Sequence, residues 1–306
     1  MFFFLELLSF CIYNILIIGY FMDIKRDIFP KSLGPQESSL ITGLYEMGKK
    51  IFNLKVASKV SGLSGQSLQN LLYKLVRKGI LTRLDSGLYN IVPFEMGQAR
   101  EYLGNPYLVA REIVFKKAKS EKADYYISHG SAMEIHQMVT QPQLVVYTTV
   151  TKQVKKNPII LGTEFHFVTT KKEHCFGLEK HWAEKSEMVL VSNIEKTIID
   201  GLKLPEYCGG ITEIAKGLWI KKSEIDPEKL IEYALRIDKG VIYRRLGFLL
   251  EIYQMANEKL LQKLQEKISK KHLLLDPTLI DEGDYNSKWK LRLNILEDEF
   301  KAVIRT

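Results

Sequence analysis

Residues 61–79 read SGLSGQSLQNLLYKLVRKG, and this stretch decides the fold of the N-terminal part of the chain. Leu68, Leu71, Leu72, Leu75 and Val76 recur at helical spacing and form one apolar stripe, which predicts an amphipathic helix over 65–78. Ser64 stands at its N-cap position and Gly79 at its C′ position. Upstream, Ser61-Gly62-Leu63 reads as a tight turn in which Gly62 supplies a positive φ. Before that turn, Leu54–Val60 predicts a second helix with Asn53 as its N-cap, and Ser39–Met47 a first, through Leu40, Ile41, Leu44 and Tyr45. Ile51-Phe52 is a short apolar step between them. Downstream, Ile80–Leu84 and Leu88–Val92 are strand-like and joined by Asp85-Ser86-Gly87, a hairpin signal. Helix, helix, turn, helix and two-stranded wing over residues 36–93 make a winged helix-turn-helix.

The predicted third helix carries chemistry suited to duplex DNA. With its leucines inward, the outward face presents Gln66, Ser67, Gln69, Asn70, Tyr73, Lys74 and Arg77 behind the capping Ser64. Gln and Asn amides pair bidentately with adenine in the major groove, and a recognition helix offers its N-terminal half to the bases. Lys74, Arg77 and Lys78 at the other end, with Arg83 on the wing, suit phosphate oxygens. Residues 36–93 hold eight Lys/Arg against Glu37, Glu46 and Asp85, a net +5 out of the whole chain's formal +8. Winged helices also serve as protein-docking modules; clustered charge beside polar readers favours DNA.

The 306-residue chain is long enough for two or three domains, and 46% hydrophobic with 26% charged residues is ordinary for globular proteins. A pI near 9.1 suits a polyanionic partner. Cys11, Cys175 and Cys208 are odd in number and far apart, with no C-x-x-C, which suits a reducing cytoplasm. There is no Walker loop and no G-x-G-x-x-G. Phe2–Phe21 is nearly all apolar and just long enough to span a membrane, broken by Glu6, Ser9 and Asn14. Its lack of a basic n-region and cleavage site makes it a poor signal peptide. Translation starting at Met22, a membrane anchor with Lys25 and Arg26 holding the remainder in the cytoplasm, or a buried helix each account for it. The domains are expected in the cytoplasm in every case.

The remainder divides at Pro205. Residues 94–204 read as a small α+β domain: a helix over Pro106–Lys119, an apolar run Tyr125–Ile127, a helix Ser128–Met138, and strands Leu144–Val150, Ile159–Val168 and Glu187–Val191. Ser192-Asn193-Ile194-Glu195 is read as a capping box opening the helix Asn193–Leu202. Residues 205–306 read as helices packing on that domain: Gly209–Trp219, a helix from Asp226-Pro227 to Ile237, Gly240–Ala256 and Lys259–Lys271. In the tail, Trp289, Leu291, Leu293 and Ile295 alternate, predicting a late strand that returns to the central domain. The fold class expected is α+β, with residues 1–35 as an apolar extension and linker.

Several phrases in order resemble the AbiEi antitoxins of type IV toxin–antitoxin (abortive infection) systems. The N-terminal winged helix is similar to theirs. So are Tyr125-Tyr126-Ile127-Ser128-His129-Gly130-Ser131-Ala132-Met133-Glu134-Ile135-His136, Glu195-Lys196-Thr197-Ile198-Ile199-Asp200 followed by Gly209-Gly210, and Arg244-Arg245-Leu246-Gly247-Phe248-Leu249-Leu250-Glu251. The resemblance runs from about residue 36 to the end, and the apolar N-terminus departs from it. It implies an N-terminal domain that binds inverted-repeat operators and represses its own operon. It also implies a C-terminal domain that counteracts a nucleotidyltransferase-type toxin without requiring a direct complex. Asp200, Arg244 and Arg245 are the candidate residues of that second domain. Asp200 follows an apolar helical run, so a pairing with Arg244 or Arg245 is expected to tie the central domain to the C-terminal helices.

No catalytic constellation, metal site or cofactor is expected. His129 and His136 lie seven apart, and His174, Cys175 and His181 have no fourth partner at zinc spacing. Gly130-Ser131 resembles the start of a nucleotidyltransferase signature, but no Asp-x-Asp pair follows. Glu164, Glu173 and Lys172 admit a carboxylate-and-lysine nuclease at generic spacing. A winged-helix-targeted nuclease and a membrane-tethered regulator therefore remain as alternatives.

Overall fold

The structure is a computed structural model that describes residues 31–97, 99–118, 124–139, 144–154 and 156–303. The apolar segment 2–21 lies outside the described residues. Among the described residues no helix is long and apolar enough to cross a membrane. The chain is mixed α and β, and it falls into two compact units, one ending at Tyr102 and the other beginning at Leu103.

In the first unit, α1 (Pro35–Glu46) starts with proline at its first position, and the Glu37 carboxylate accepts the Gly34 N–H at 2.8 Å. Leu40, Ile41 and Leu44 are buried, while Tyr45 faces outward. After β1 (Ile51–Asn53), the Asn53 side chain accepts the Val56 N–H at 3.1 Å and caps α2 (Leu54–Ser61). Gly62 turns the chain at φ +69° into α3 (Gly65–Arg77). Gly79 ends α3 at φ +67°, with Gly79 N–H donating to the Val76 carbonyl and Ile80 N–H to that of Leu75, a Schellman closure. Then β2 (Leu81–Asp85) and β3 (Leu88–Ile91) form an antiparallel hairpin, and β1 pairs with the far side of β3 to give the order β1-β3-β2. One apolar core joins Leu40, Leu44, Phe52, Ala57, Leu72, Leu75 and Leu81.

This unit does not stop at residue 93 as the sequence suggested. Tyr102 N–H donates to Thr82 Oγ1 at 2.8 Å, and Asn90 Nδ2 donates to the Tyr102 carbonyl at 3.2 Å. Those bonds tie the connector back to the hairpin.

The second unit is built on a six-stranded sheet of order β6-β7-β5-β4-β9-β8. Its strands are β4 (Tyr125–Ile127), β5 (Val145–Val150), β6 (Ile159–Ile160), β7 (Thr163–Thr169), β8 (Leu178–Glu184) and β9 (Glu187–Ser192). The pairs β5–β7 and β4–β9 are parallel, and the other neighbours are antiparallel. Strand alternation sends Tyr125 against Phe115 of α4 (Pro106–Ala118), ring centroids 5.5 Å apart, and Tyr126 to the opposite face. There Tyr126 meets Lys196 and Asp200 of α6 (Ile194–Lys203), while α5 (His129–Ile135) packs on β5.

The expected strand Ile159–Val168 is two strands, because Leu161 (φ +48°) and Gly162 (φ +83°) reverse the chain between them. β8, absent from the sequence reading, is an edge strand whose Glu179, Lys180 and Trp182 are exposed, so its pattern lacks an apolar face. The capping box shifts by one residue: Asn193 is the N-cap, accepting Lys196 N–H at 2.9 Å. Ser192 belongs to β9 and bonds Thr197 Oγ1, and Glu195 instead pairs with Lys229 at 2.9 Å.

Beyond α6 come α7 (Ile211–Ile220), α8 (Pro227–Ile237), α9 (Gly240–Ile252), α10 (Glu258–Gln265) and α11 (Glu297–Val303). They share one apolar core with Met133, Ile198 and Ile199, so residues 205–303 are part of the second unit and not a separate body. Gly210 has no side chain to cap α7, and Asp276 does so from a distance, accepting the Ile211 N–H at 2.6 Å. The tail does not return to the six-stranded sheet. β10 (Leu273–Leu274), β11 (Asp284–Asn286) and β12 (Leu291–Leu293) form their own small sheet, and Trp289 is fully buried against α9, where Gly247 leaves room for its ring.

Candidate nucleic-acid interface

The leucine stripe of α3 is buried, which orients everything else on that helix. Ser64, Gln66, Ser67, Gln69, Asn70, Tyr73, Lys74 and Arg77 are all exposed, as is Arg83 on β2. The Ser64 hydroxyl makes no cap bond, so it stays on the surface beside the N-terminus of α3. Gln66 Nε2 donates to Asn70 Oδ1 at 2.9 Å, one helical turn apart, which couples the two amides into a single polar feature. Tyr73, 63% exposed, has the Arg77 guanidinium 5.9 Å from its ring centroid. One candidate departs from this set. Lys78 is half-buried and bridges to Glu37 at 2.6 Å and to the Ser32 carbonyl at 3.1 Å. Burial raises the Glu37 carboxyl, but Lys78 and the Gly34 N–H outweigh it and hold it below its ordinary value. Lys78 is thus a structural clamp between α3 and α1. What remains is a convex helix with amides at its N-terminal half and cations at its C-terminal half, beside an exposed arginine on the hairpin.

In the second unit the expected pairing of Asp200 with arginine is overturned. Asp200 pairs with Lys196 one turn earlier on α6, and its other oxygen accepts the Tyr126 hydroxyl at 2.9 Å. Lys196 is 0% exposed and also donates to that hydroxyl at 3.1 Å. Burial and the neighbouring Asp200 push Tyr126 well above the usual phenol range. Neither Arg244 nor Arg245 bridges to Asp200; both bind mainly backbone carbonyls, and Arg244 also the Ser269 hydroxyl. Arg245 donates to Leu202, Leu275 and Leu274, closing the C-terminal end of α6, and burial lowers it to about 10. Arg244 donates to Gly240, Ser269 and Lys271. Helix ends leave carbonyls unsatisfied, and a guanidinium supplies several donors at once.

His129 and His136 serve separate partners, while His129 and His166 pack on the same Tyr207 ring with centroids 5.4 and 4.8 Å away. His129 is sealed, with Nδ1 2.9 Å from Ser128 Oγ, and burial pushes it down to about 4. Ser128 and His129 thus form a hydroxyl–imidazole pair to which no substrate has access. His136 Nε2 donates to the Ser192 carbonyl at 2.6 Å. Glu164 lies near the start of β7, and Lys172 and Glu173 lie past its other end, about 15 Å or more of extended chain away, so the nuclease triad is not assembled. Among the described residues no group of three His, Cys, Asp or Glu is placed to hold a metal ion.

Signals for the features missed were present. Lys196 and Asp200 are spaced i, i+4 inside an apolar run, and Gly162 sits inside a strand pattern where it marks a break. No family model and no curated protein matches the chain. Among solved structures, the chain is similar to the crystal structure of the RV2827C protein from Mycobacterium tuberculosis, with a TM-score of 0.65 and 16% identity. The match covers 90% of this chain and 96% of that one, and at this identity the likeness is one of fold.

Proposed function

We propose that the first unit is a winged helix-turn-helix that reads duplex DNA through α3, and that the chain is an autoregulating antitoxin of the AbiEi kind. The observation that carries the DNA reading is the face of α3. The four leucines of its apolar stripe are buried, and its opposite side gathers Gln66, Gln69, Asn70, Lys74 and Arg77 in the open. Amides near the N-terminal half would meet base edges, and Lys74, Arg77 and Arg83 would meet phosphates on either side. The order of helices and the β1-β3-β2 sheet suit that docking mode. An inverted-repeat operator is the partner this reading requires.

The antitoxin half rests on the resemblance of the ordered sequence phrases. Within it, Lys196, Asp200, Arg244 and Arg245 build the α6–α9 framework, and any surface acting on a nucleotidyltransferase-type toxin is carried by that framework. Gln69→Ala and Asn70→Ala test the DNA half. Each should lose ~1–3 kcal/mol of discrimination between operator and random duplex. Unchanged operator preference in the double variant removes α3 as the reader. Residues 103–306, expressed alone from an unrelated promoter, should protect cells from the cognate toxin. Full toxicity with that fragment soluble and folded would refute the antitoxin half.

A further inference from the structure

A cleft of about 420 Å³ opens at the carboxyl ends of the parallel strands β5 and β7, on the α4 side of the sheet. Its floor is apolar: Val114 and Ala118 from α4, Val150 at the end of β5, and Val154 from the loop beyond. Its rim is cationic, with Lys117 from α4, Lys152 from the loop after β5 and Lys172 from the turn after β7. Asp124 is the carboxylate among the lining residues, and it stands 3.8 Å from Lys172, a loose pair. Three lysines from three separate elements thus line one concavity, with Asp124 the carboxylate among its described lining residues. Lys117 lies in the last turn of α4 and offsets the negative end of that helix. Lys152 and Lys172 serve no such purpose. Exposed lysines around an apolar floor give the cleft a positive rim that favours an anionic ligand.

We propose that this cleft binds a nucleoside phosphate. The size falls within the ~300–1,000 Å³ range of small-molecule sites, and the cleft lies outside the carboxyl ends of the parallel pair β5–β7, the end of a parallel pair at which α/β sheets hold their ligands. The base lies on the valine floor, Lys152 and Lys172 hold phosphate oxygens, and Asp124 accepts from a sugar hydroxyl. The assignment is independent of the DNA reading, because every lining residue belongs to the second unit.

Isothermal titration of the full chain with each of the four ribonucleoside triphosphates, with pyrophosphate and with free adenosine tests it. At least one triphosphate should bind one per chain, and more tightly than pyrophosphate or adenosine. Lys152→Ser with Lys172→Ser should loosen that binding about tenfold or more, since both charge contacts are lost. Both lysines are exposed, so the double variant keeps its melting temperature and its affinity for duplex DNA. No heat with any triphosphate at millimolar concentration would overturn the proposal. So would equal binding of pyrophosphate, which marks a bare charge patch, or an unaltered Kd in the folded double variant.

Discussion

Replacing Asp200 with alanine strips the counter-charge from an ammonium that water does not reach. Lys196 is 0% exposed, its Nζ is held by the Asp200 carboxylate and the Tyr126 hydroxyl, and the Tyr126 and Phe176 rings lie 5.2 and 5.3 Å away. Ring faces soften the loss but do not replace a carboxylate. Breaking one side of a buried pair costs ~3–5 kcal/mol, and a unit of this size moves ~2–4 °C in Tm per kcal/mol, so the melting point should fall by roughly 10 °C. Removing both charges with shape kept, Lys196→Met with Asp200→Leu, should recover most of that loss, because no unpaired charge is then buried. The assay is thermal and urea unfolding followed by circular dichroism, with operator binding measured in parallel on the same samples. Operator affinity should stay unchanged at temperatures where the second unit is folded, and toxin protection should return in the cold. An unaltered Tm with lost protection would refute the reasoning and, on the proposed antitoxin function, give Asp200 a direct part in it.

Three further outcomes follow from the same geometry. His129 has its pKa lowered to about 4 by burial, so the unfolded chain takes up its proton first as pH falls. Stability of the second unit should therefore decline from pH 6.5 towards pH 4 by ~3 kcal/mol, and His129→Gln should flatten that slope in urea titrations; an identical slope in the variant contradicts it. Gly247→Ala places a Cβ inside the van der Waals envelope of the buried Trp289 ring, so it should destabilise by ~1–3 kcal/mol even though alanine favours helix by ~1 kcal/mol; a raised Tm would contradict this. Lys78→Ala should lower the stability of the first unit by ~1 kcal/mol through the lost Glu37 bridge and leave the salt dependence of DNA binding unchanged, whereas Lys74→Ala should reduce that slope by ~0.9; a flattened slope in Lys78→Ala would return Lys78 to the phosphate contacts.

The sequence by itself determined the elements whose signals are local. The stripe Leu68, Leu71, Leu72, Leu75, the Asn53 cap, the Gly62 and Gly79 reversals and the Asp226-Pro227 helix start all stand where their own residues put them, because each depends on neighbours within one or two turns. The exposure of Gln66, Gln69, Asn70 and Lys74 follows from that stripe by helical geometry alone. Only the tertiary structure decided where long-range partners meet. Arg245 reached the Leu202 carbonyl at the C-terminal end of α6 and Arg244 the Ser269 and Lys271 carbonyls, whereas the Lys196–Asp200 pair, four apart on one helix, was legible in its spacing and only its full burial was not. Trp289 alternates like a strand residue, yet its ring packs directly on the bare backbone of Gly247; β8 was invisible because an edge strand needs no apolar face. Lysines 117, 152 and 172 are far apart in the chain, and it is the sheet order β7-β5-β4 that brings them to one cleft. Periodicity reports which face of an element is buried, and the partner across that face is set by topology.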